Sequence, residues 1–108
     1  MTAPNRPIRA PSGLSGAARR LWASVTTAYA LMEHHLHVLE QSCRALDRAE
    51  QARRVVEAEG AFISSRLGEL RTHPGVAVER DARAQFERLI RALGLDVEGP
   101  PAPSARRR

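Results

Sequence analysis

The longest uninterrupted helical pattern in this sequence limits the folds open to the chain. No proline or glycine occurs from His35 to Glu59, and Gly60 follows as a helix stop. Apolar residues recur along this stretch at steps of three and four, so they share one helical face: Leu36, Leu39, Cys43, Leu46, Ala49 and Val56. At 1.5 Å per residue such a helix spans roughly 37 Å, longer than a domain of this mass is wide. We therefore expect another chain to shield part of its length.

Two shorter helical patterns flank the long one. Ser15 is suited to capping a first helix over about 15–30, and Pro74 suits the first turn of a third helix that Gly94 ends. The apolar stripe of the first contains Leu14, Ala18, Leu21, Trp22, Val25 and Tyr29, and that of the third contains Val78, Ala82, Phe86, Leu89, Ile90 and Leu93.

The helical period is lost between Gly60 and Pro74. Strand-forming residues lie on either side of Gly68, which can adopt a positive φ, so the segment predicts a short β-hairpin at about 61–72. An isolated two-stranded hairpin is barely stable in water. We expect this one to lie on the helices or to pair with another subunit.

Both ends of the chain have a composition that cannot build a core. Residues 1–13 hold three prolines with Arg6 and Arg9, and residues 96–108 end in Arg106, Arg107 and Arg108. The sequence thus predicts a mainly α protein: a disordered basic arm (1–13), a helical oligomerisation domain (14–95) containing the hairpin, and a disordered Arg-rich tail (96–108). Such a small domain has a marginal core, which also favours an oligomer.

The charge excess lies in those ends. Residues 14–98 contain twelve arginines and twelve acids, and the net charge of the chain is +5. Flexible arginines gain phosphate contacts by releasing counterions, which fits a polyanion partner; tails that only aid solubility remain an alternative. All 17 basic residues are arginine, which suits phosphate binding or reflects a GC-rich genome.

The remaining charges of the body follow helical spacing. Acid-to-arginine pairs four residues apart are predicted on the outer faces, each adding a few tenths of a kcal/mol: Glu40 with Arg44, Glu50 with Arg54, Glu79 with Arg83, and Glu87 with Arg91. We interpret them as solvated pairs without a function.

The sequence contains no catalytic or cofactor-binding motif. His34, His35 and His37 cluster, but only His34 and His37 have the spacing of helical metal ligands, and they lie where the helix begins. The simpler interpretation is a polar helix start with a histidine in place of a capping Asp or Ser. Cys43 lies on an apolar face as an ordinary buried thiol, which suits a reducing compartment. We expect no metal, no cofactor and no enzyme activity.

Taken in order, the landmarks resemble the small subunits of bacteriophage terminases, specifically the P27 family. The resemblance covers about residues 14–108 and is carried by Leu14, Ser15, Ala18 and Trp22 in helix one, Leu36, Leu39 and Cys43 in helix two, then Gly60, Gly68, His73, Pro74, Leu93, Gly94 and Leu95. Two positions depart from the family pattern. His35 stands where an acidic residue is usual, and Asp96 and Val97 stand where Thr-Pro is usual.

The resemblance implies a non-enzymatic partner in genome packaging. Small subunits of this kind form rings, recognise double-stranded viral DNA and regulate the large subunit that holds the ATPase and nuclease. It also implies a location in the cytoplasm of the infected bacterial host.

Two sets of site residues follow as hypotheses. Phosphate contacts are expected from Arg6, Arg9, Arg106, Arg107 and Arg108, with support from Arg19 and Arg20, and contacts to a neighbouring subunit from Val55, Val56, Phe62 and Ile63. The main alternative is a helical adaptor whose basic tails bind an acidic protein. A small metal-dependent enzyme is a more remote one.

Overall fold

A computed structural model describes residues 8–95 of the chain. It contains α1 (Gly16–Ala28), α2 (Glu33–Glu59), β1 (Phe62–Ser64), β2 (Leu70–Thr72) and α3 (Pro74–Ala92). The predicted order of helix, helix, hairpin and helix is confirmed.

Helix α1 starts as its sequence predicts. The Ser15 hydroxyl accepts a hydrogen bond from Ala18 N–H at 3.1 Å, which satisfies a donor that the first helical turn leaves free. The carboxylate of Asp47 on α2 accepts from both Ser15 N–H (2.8 Å) and Ser15 Oγ (2.5 Å). This pair of bonds fixes the start of α1 against the middle of α2.

Helix α2 begins two residues before the predicted start at His35. Its N-cap is Met32, whose N–H donates to Nδ1 of His35 at 3.2 Å. His35 is therefore not a cap; it accepts the backbone bond that an acidic side chain at the third helical position would accept in a capping box. The helix ends as expected at Gly60, which has φ of 93°.

The strands β1 and β2 form the predicted hairpin. They pair antiparallel with Phe62 opposite Thr72, Ile63 opposite Arg71 and Ser64 opposite Leu70. The turn uses Gly68 at φ of 87°, and the Ser65 hydroxyl accepts from the N–H groups of Leu67 and Glu69. All six strand residues are exposed, so the helices of the same chain do not cover the hairpin.

Helix α3 begins at Pro74, as predicted, and its cap is His73. Nδ1 of His73 accepts from Gly75 N–H at 2.8 Å, and Nε2 lies 2.7 Å from Oε1 of Glu59. Because Nδ1 accepts, the proton is on Nε2, which donates to the carboxylate. This imidazole joins the end of α2 to the start of α3 across the base of the hairpin.

Helices α1 and α3 both run antiparallel to α2. Cys43 contacts Ala18 and Asp47 contacts Ser15 at α1, whereas Glu50 contacts Arg83 and Arg48 contacts Gln85 on α3. The core cluster consists of Leu14, Ala18, Trp22, Val25, Leu39 and Cys43, with Leu93 and Leu95 packed against it. Small buried residues, Ala45, Ala49, Ala52 and Ala82, complete the interior. Of the predicted inner face of α2, Leu36, Leu46 and Val56 are only half-buried.

The ordered part of the chain begins earlier than the sequence indicates. Residues 8–13 belong to the predicted disordered arm, yet the indole N–H of Trp22 donates to the carbonyl of Ile8 at 2.8 Å and Ala10 packs against the core. Arg44 also donates to the carbonyl of Ser12 at 3.3 Å. Long-range contacts with α1 and α2 therefore fix a segment whose own composition favours disorder. The predictions for 1–7 and 96–108 lie outside the described residues.

Candidate nucleic-acid and assembly surfaces

Three of the seven predicted phosphate-contacting arginines lie within the described residues. Arg19 and Arg20 are exposed on α1, and Arg9 is exposed on the segment before it. The bond from Trp22 to the carbonyl of Ile8 ties that segment to α1, so Arg9 is held near the helix that carries the other two. Arg6, Arg106, Arg107 and Arg108 lie outside the described residues.

Within residues 8–95, these three arginines have no acidic partner. No carboxylate of residues 8–95 lies within 4 Å of Arg9, Arg19 or Arg20. Among the described residues, the guanidinium of Arg19 makes one bond, to the carbonyl of Leu14 at 2.8 Å, which uses one of its five donors. A free guanidinium matches phosphate in charge and in geometry.

Other arginines of the body are neutralised by acids. Arg53 contacts Glu50 at 2.8 Å and Glu57 at 2.7 Å, and Arg83 contacts both Glu50 and Glu79 at 2.9 Å. Hydrogen bonds from Arg53 and then Arg83 lower the pKa of the Glu50 carboxyl. The same contacts raise the pKa of both guanidinium groups. These arginines stabilise the fold and are poorly placed to bind phosphate.

Two of the four ion pairs predicted from helical spacing are present. Glu40 with Arg44 and Glu79 with Arg83 are confirmed. The pairing of Glu50 with Arg54 is wrong, because Glu50 instead bridges Arg53 on its own helix and Arg83 on α3. The pairing of Glu87 with Arg91 is also absent within residues 8–95.

Further arginines, not selected from the sequence, also lack an acidic partner. Within the described part of the chain, no ion pair forms at Arg48, Arg54, Arg66, Arg71, Arg88 or Arg91. A sequence signal exists for Arg88, which has no acid three or four residues away on its helix. For Arg54 only the structure shows that its expected partner is engaged elsewhere.

Among the described residues, the histidine cluster and Cys43 form no group placed to hold a metal ion. His34 and His37 are exposed, and among residues 8–95 no group of three or more His, Cys, Asp or Glu side chains is placed to hold a metal ion. Cys43 is fully buried, as predicted. Burial, followed by the charge of Asp47, raises the pKa of its thiol to about 11, so the thiol is protonated at neutral pH.

The four predicted interface residues do not form one surface. Val55 is 39% exposed, Phe62 62% and Ile63 37%. Val56 is half-buried beside Gly75 of its own α3. Side chains alternate along a strand, so Phe62 and Ile63 point to opposite faces of the hairpin. A single flat neighbour cannot cover both.

An open groove lies beside Val55. It has a volume of about 230 Å³ between α2 and α3 and is lined by Arg48, Gln51, Ala52, Val55, Gly75 and Val78. Val78 is 43% exposed. We call this cavity the α2–α3 groove. Its walls and the bare hairpin both expose apolar side chains.

Comparison with known protein families shows to which family the chain belongs. The family model described as phage terminase, small subunit, matches residues 18–108. The chain belongs to the phage terminase small-subunit family. No curated protein and no solved structure matches it.

Membership in the terminase small-subunit family supports a role in phage DNA packaging. Small subunits of this family are generally non-catalytic, and DNA and the large terminase subunit are their partners in general. The match includes Arg19, Arg20, the hairpin and α3, and it extends over the C-terminal arginines; Arg6 and Arg9 precede it. No helix among residues 8–95 has the length and apolar character needed to cross a membrane.

Proposed function

We propose that this chain is the small subunit of a P27-type terminase, a ring-forming protein without catalytic activity that recognises double-stranded viral DNA. In the cytoplasm of the infected bacterium it regulates the large subunit that holds the ATPase and nuclease. The observation that carries this proposal is the family match over residues 18–108.

The DNA contacts in this proposal are phosphate contacts. Arg6, Arg9, Arg106, Arg107 and Arg108 supply them, and Arg19 and Arg20 support them from α1. The absence of acidic neighbours around Arg19 and Arg20 within residues 8–95 supports this role. Such contacts provide affinity and not sequence specificity. In a ring they repeat in every subunit, so weak contacts add up to avid binding.

The ring is proposed because one copy leaves apolar side chains exposed. Phe62 and Leu67 of the hairpin are 62% and 88% exposed, and Val55 and Val78 of the α2–α3 groove are also accessible. We propose that Val55, Val56, Phe62 and Ile63 belong to the region that faces neighbouring subunits. Burial of these side chains would supply the stability that a domain of this size lacks.

DNA binding is tested by the salt dependence of affinity for random-sequence duplex DNA. We expect the double variant Arg19→Ala/Arg20→Ala to bind more weakly, with the slope of log affinity against log salt reduced by about 1 to 2. The matched control is Arg53→Ala/Arg80→Ala, which has the same net charge but removes arginines that already contact acids. Removal of the terminal arginines should reduce the slope further.

Equal slopes for the test and control variants would show that only net charge matters and would reject Arg19 and Arg20 as contacts. A full-length protein that binds no DNA at low or moderate salt would favour the alternative function, a helical adaptor for an acidic protein. The exposed apolar side chains of the hairpin fit that alternative as well.

A further inference from the structure

The two flanks of the contact between α2 and α3 differ in charge. Residues two apart on a helix point about 200° from each other, so Arg48 and Glu50 contact α3 on opposite flanks. Glu50 contacts Arg83, which also contacts Glu79. Arg48 contacts the neutral amide of Gln85. Acids therefore neutralise the arginine on one flank, whereas the arginine on the other flank has only an amide as its partner.

Three side chains on the Arg48 flank form a cluster of hydrogen-bond donors. Nη1 of Arg48 donates to Oε1 of Gln85 at 3.2 Å. Arg88 lies three residues beyond Gln85 on α3, a spacing at which two side chains of a helix are neighbours. Oε1 of Gln85 is the only acceptor atom in the three side chains, because a guanidinium has donors alone. We call Arg48, Gln85 and Arg88 the donor cluster.

No acid neutralises the donor cluster within residues 8–95. No carboxylate of this range lies within 4 Å of either guanidinium. Asp81, one helical turn before Gln85, contacts Arg80 at 3.3 Å instead. The positions three and four residues away hold no acid either: Arg44, Ala45, Gln51 and Ala52 around Arg48, and Ala84, Gln85, Arg91 and Ala92 around Arg88. The donor cluster therefore keeps both positive charges.

Solvent reaches the donor cluster. Arg88 is exposed, and Arg48 and Gln85 are half-buried. Arg48 also lines the open α2–α3 groove. The bond to Gln85 holds its guanidinium in place, and this lowers the side-chain entropy that binding of a ligand would cost. The cluster is thus accessible from outside and partly preorganised.

The donor cluster suits a ligand that is anionic and rich in acceptor atoms. A phosphate group has both properties, and a guanidinium can bind it through two parallel N–H bonds. Duplex DNA presents closely spaced phosphates along its whole length. The carboxylates of Glu50 and Glu79 on the opposite flank repel such a ligand. One flank of the α2–α3 contact therefore fits DNA better than the other.

We propose that the donor cluster contacts phosphates of duplex DNA, in addition to Arg19 and Arg20 of α1. This inference rests on the DNA binding in the proposed function and assigns it a further site on α2 and α3. Contacts to phosphates contribute affinity and orientation but not sequence specificity. The site thus orients the α2–α3 pair with its Arg48 flank towards the duplex.

The variant Gln85→Glu tests the site without removing an arginine. Its carboxylate lies beside Arg48 and Arg88, so an internal ion pair competes with the phosphate. We expect weaker binding to random-sequence duplex DNA, with the slope of log affinity against log salt reduced by about 1. The matched control is Arg80→Ala, which lowers the net charge equally but removes an arginine that already contacts Asp81. The control should keep a slope close to that of the wild type.

The unfolding of Gln85→Glu provides a second readout. A carboxylate near two guanidinium groups gains favourable charge interactions, so the midpoint of urea unfolding should equal or exceed that of the wild type. Binding and stability then change in different directions. An affinity loss that accompanies a loss of helical circular dichroism would instead assign Gln85 to the fold alone and overturn the proposal.

Removal of both arginines is the complementary test. We expect Arg48→Ala/Arg88→Ala to reduce the salt slope by about 2. The control Arg53→Ala/Arg80→Ala has the same net charge and removes arginines that contact acids, so its slope should change less. Arg48→Lys/Arg88→Lys keeps both charges and should restore most of the slope.

The outcomes separate this inference from the proposed function. If the wild type binds DNA and Arg19→Ala/Arg20→Ala weakens binding, but Gln85→Glu and Arg48→Ala/Arg88→Ala match their controls, the donor cluster makes no contact. The proposed function then stands without this site. A wild-type chain that binds no duplex even at low salt overturns both.

Discussion

Hydrogen bonds of His73 connect α2, the hairpin and α3. Its Nδ1 accepts from Gly75 N–H, its Nε2 donates to Glu59, and its own backbone N–H donates to the carbonyl of Ala61. The residue itself is 7% exposed, whereas the side chain of its partner Glu59 is 61% exposed. Together they set where α2 ends, where the hairpin starts and how α3 leaves it.

Cys43 should make the free energy of unfolding depend on pH. Burial raises the pKa of this thiol from 9.0 to about 11. Below pH 9 the thiol is protonated in both the folded and the unfolded chain, and the free energy of unfolding is unaffected. Between pH 9 and 11 only the unfolded chain releases the proton, so the free energy of unfolding falls as the pH rises.

We expect the free energy of unfolding of the wild type to fall by about 2 kcal/mol more than that of Cys43→Ala between pH 8 and pH 10.5. Urea unfolding at the two pH values measures this difference. The comparison removes the contributions of other titrating groups, which both proteins share. Parallel losses in the two proteins would mean that the folded thiol ionises freely and is not held in a dry core.

At the scale of elements, the packing of α3 on α2 depends on the absence of a side chain at Gly75. A Cβ built there would lie 2.8 Å from Cγ2 of Val56 and 3.1 Å from Nδ1 of His73. Val56 is β-branched and has little rotamer freedom in a helix, and His73 is held by its bonds. Neither neighbour is free to move aside.

Gly75→Ala should therefore destabilise the protein. In an open helix this change gains up to about 1 kcal/mol, whereas overpacking costs about 1 to 3 kcal/mol. We expect a net loss of about 1 kcal/mol in urea unfolding, most of it recovered when Val56→Ala is added. A double-mutant cycle with the two single variants measures the coupling between the positions. Stabilisation by Gly75→Ala alone would show that α2 and α3 are farther apart than in this structure.

The elements themselves could be predicted because their signals are local. Ser15, Gly60, Gly68 and Pro74 act through their own backbone preferences, and each marks the boundary or turn that the sequence indicates. The sequence does not indicate that α2 starts at Glu33, because Met32 is an unusual residue for an N-cap.

Contacts between elements could not be predicted in the same way. Glu50 pairs with Arg83 of α3, which is 33 residues away in the sequence. Helical spacing cannot predict an ion pair between two different helices. The docking of residues 8–13 depends likewise on Trp22 and Arg44 from other elements. For the site, the sequence located exposed arginines and apolar residues, but it could not show which arginines have acidic partners.

At the scale of the whole molecule, the exposed arginines near α1 and the exposed apolar side chains lie in different regions. Ion pairs among Glu50, Arg53 and Arg83 use body arginines to join α2 and α3. Arg9, Arg19 and Arg20 remain exposed near α1, whereas the bare hairpin and the groove lie along the other half of α2. The proposed DNA contacts among residues 8–95 and the proposed assembly residues therefore do not overlap.

Stability and assembly should then be coupled. When the proposed assembly buries the exposed hairpin, each subunit gains stability by mass action, so the melting temperature depends on protein concentration. We expect the wild-type melting temperature to rise by several degrees over a roughly hundredfold increase in concentration. Val55→Glu should melt lower and at a temperature independent of concentration, while Arg80→Ala, on the far side of α3, should behave like the wild type. A concentration-independent wild type with a high melting temperature would mean that one copy of this chain is stable alone, and the exposed hairpin would then need another explanation.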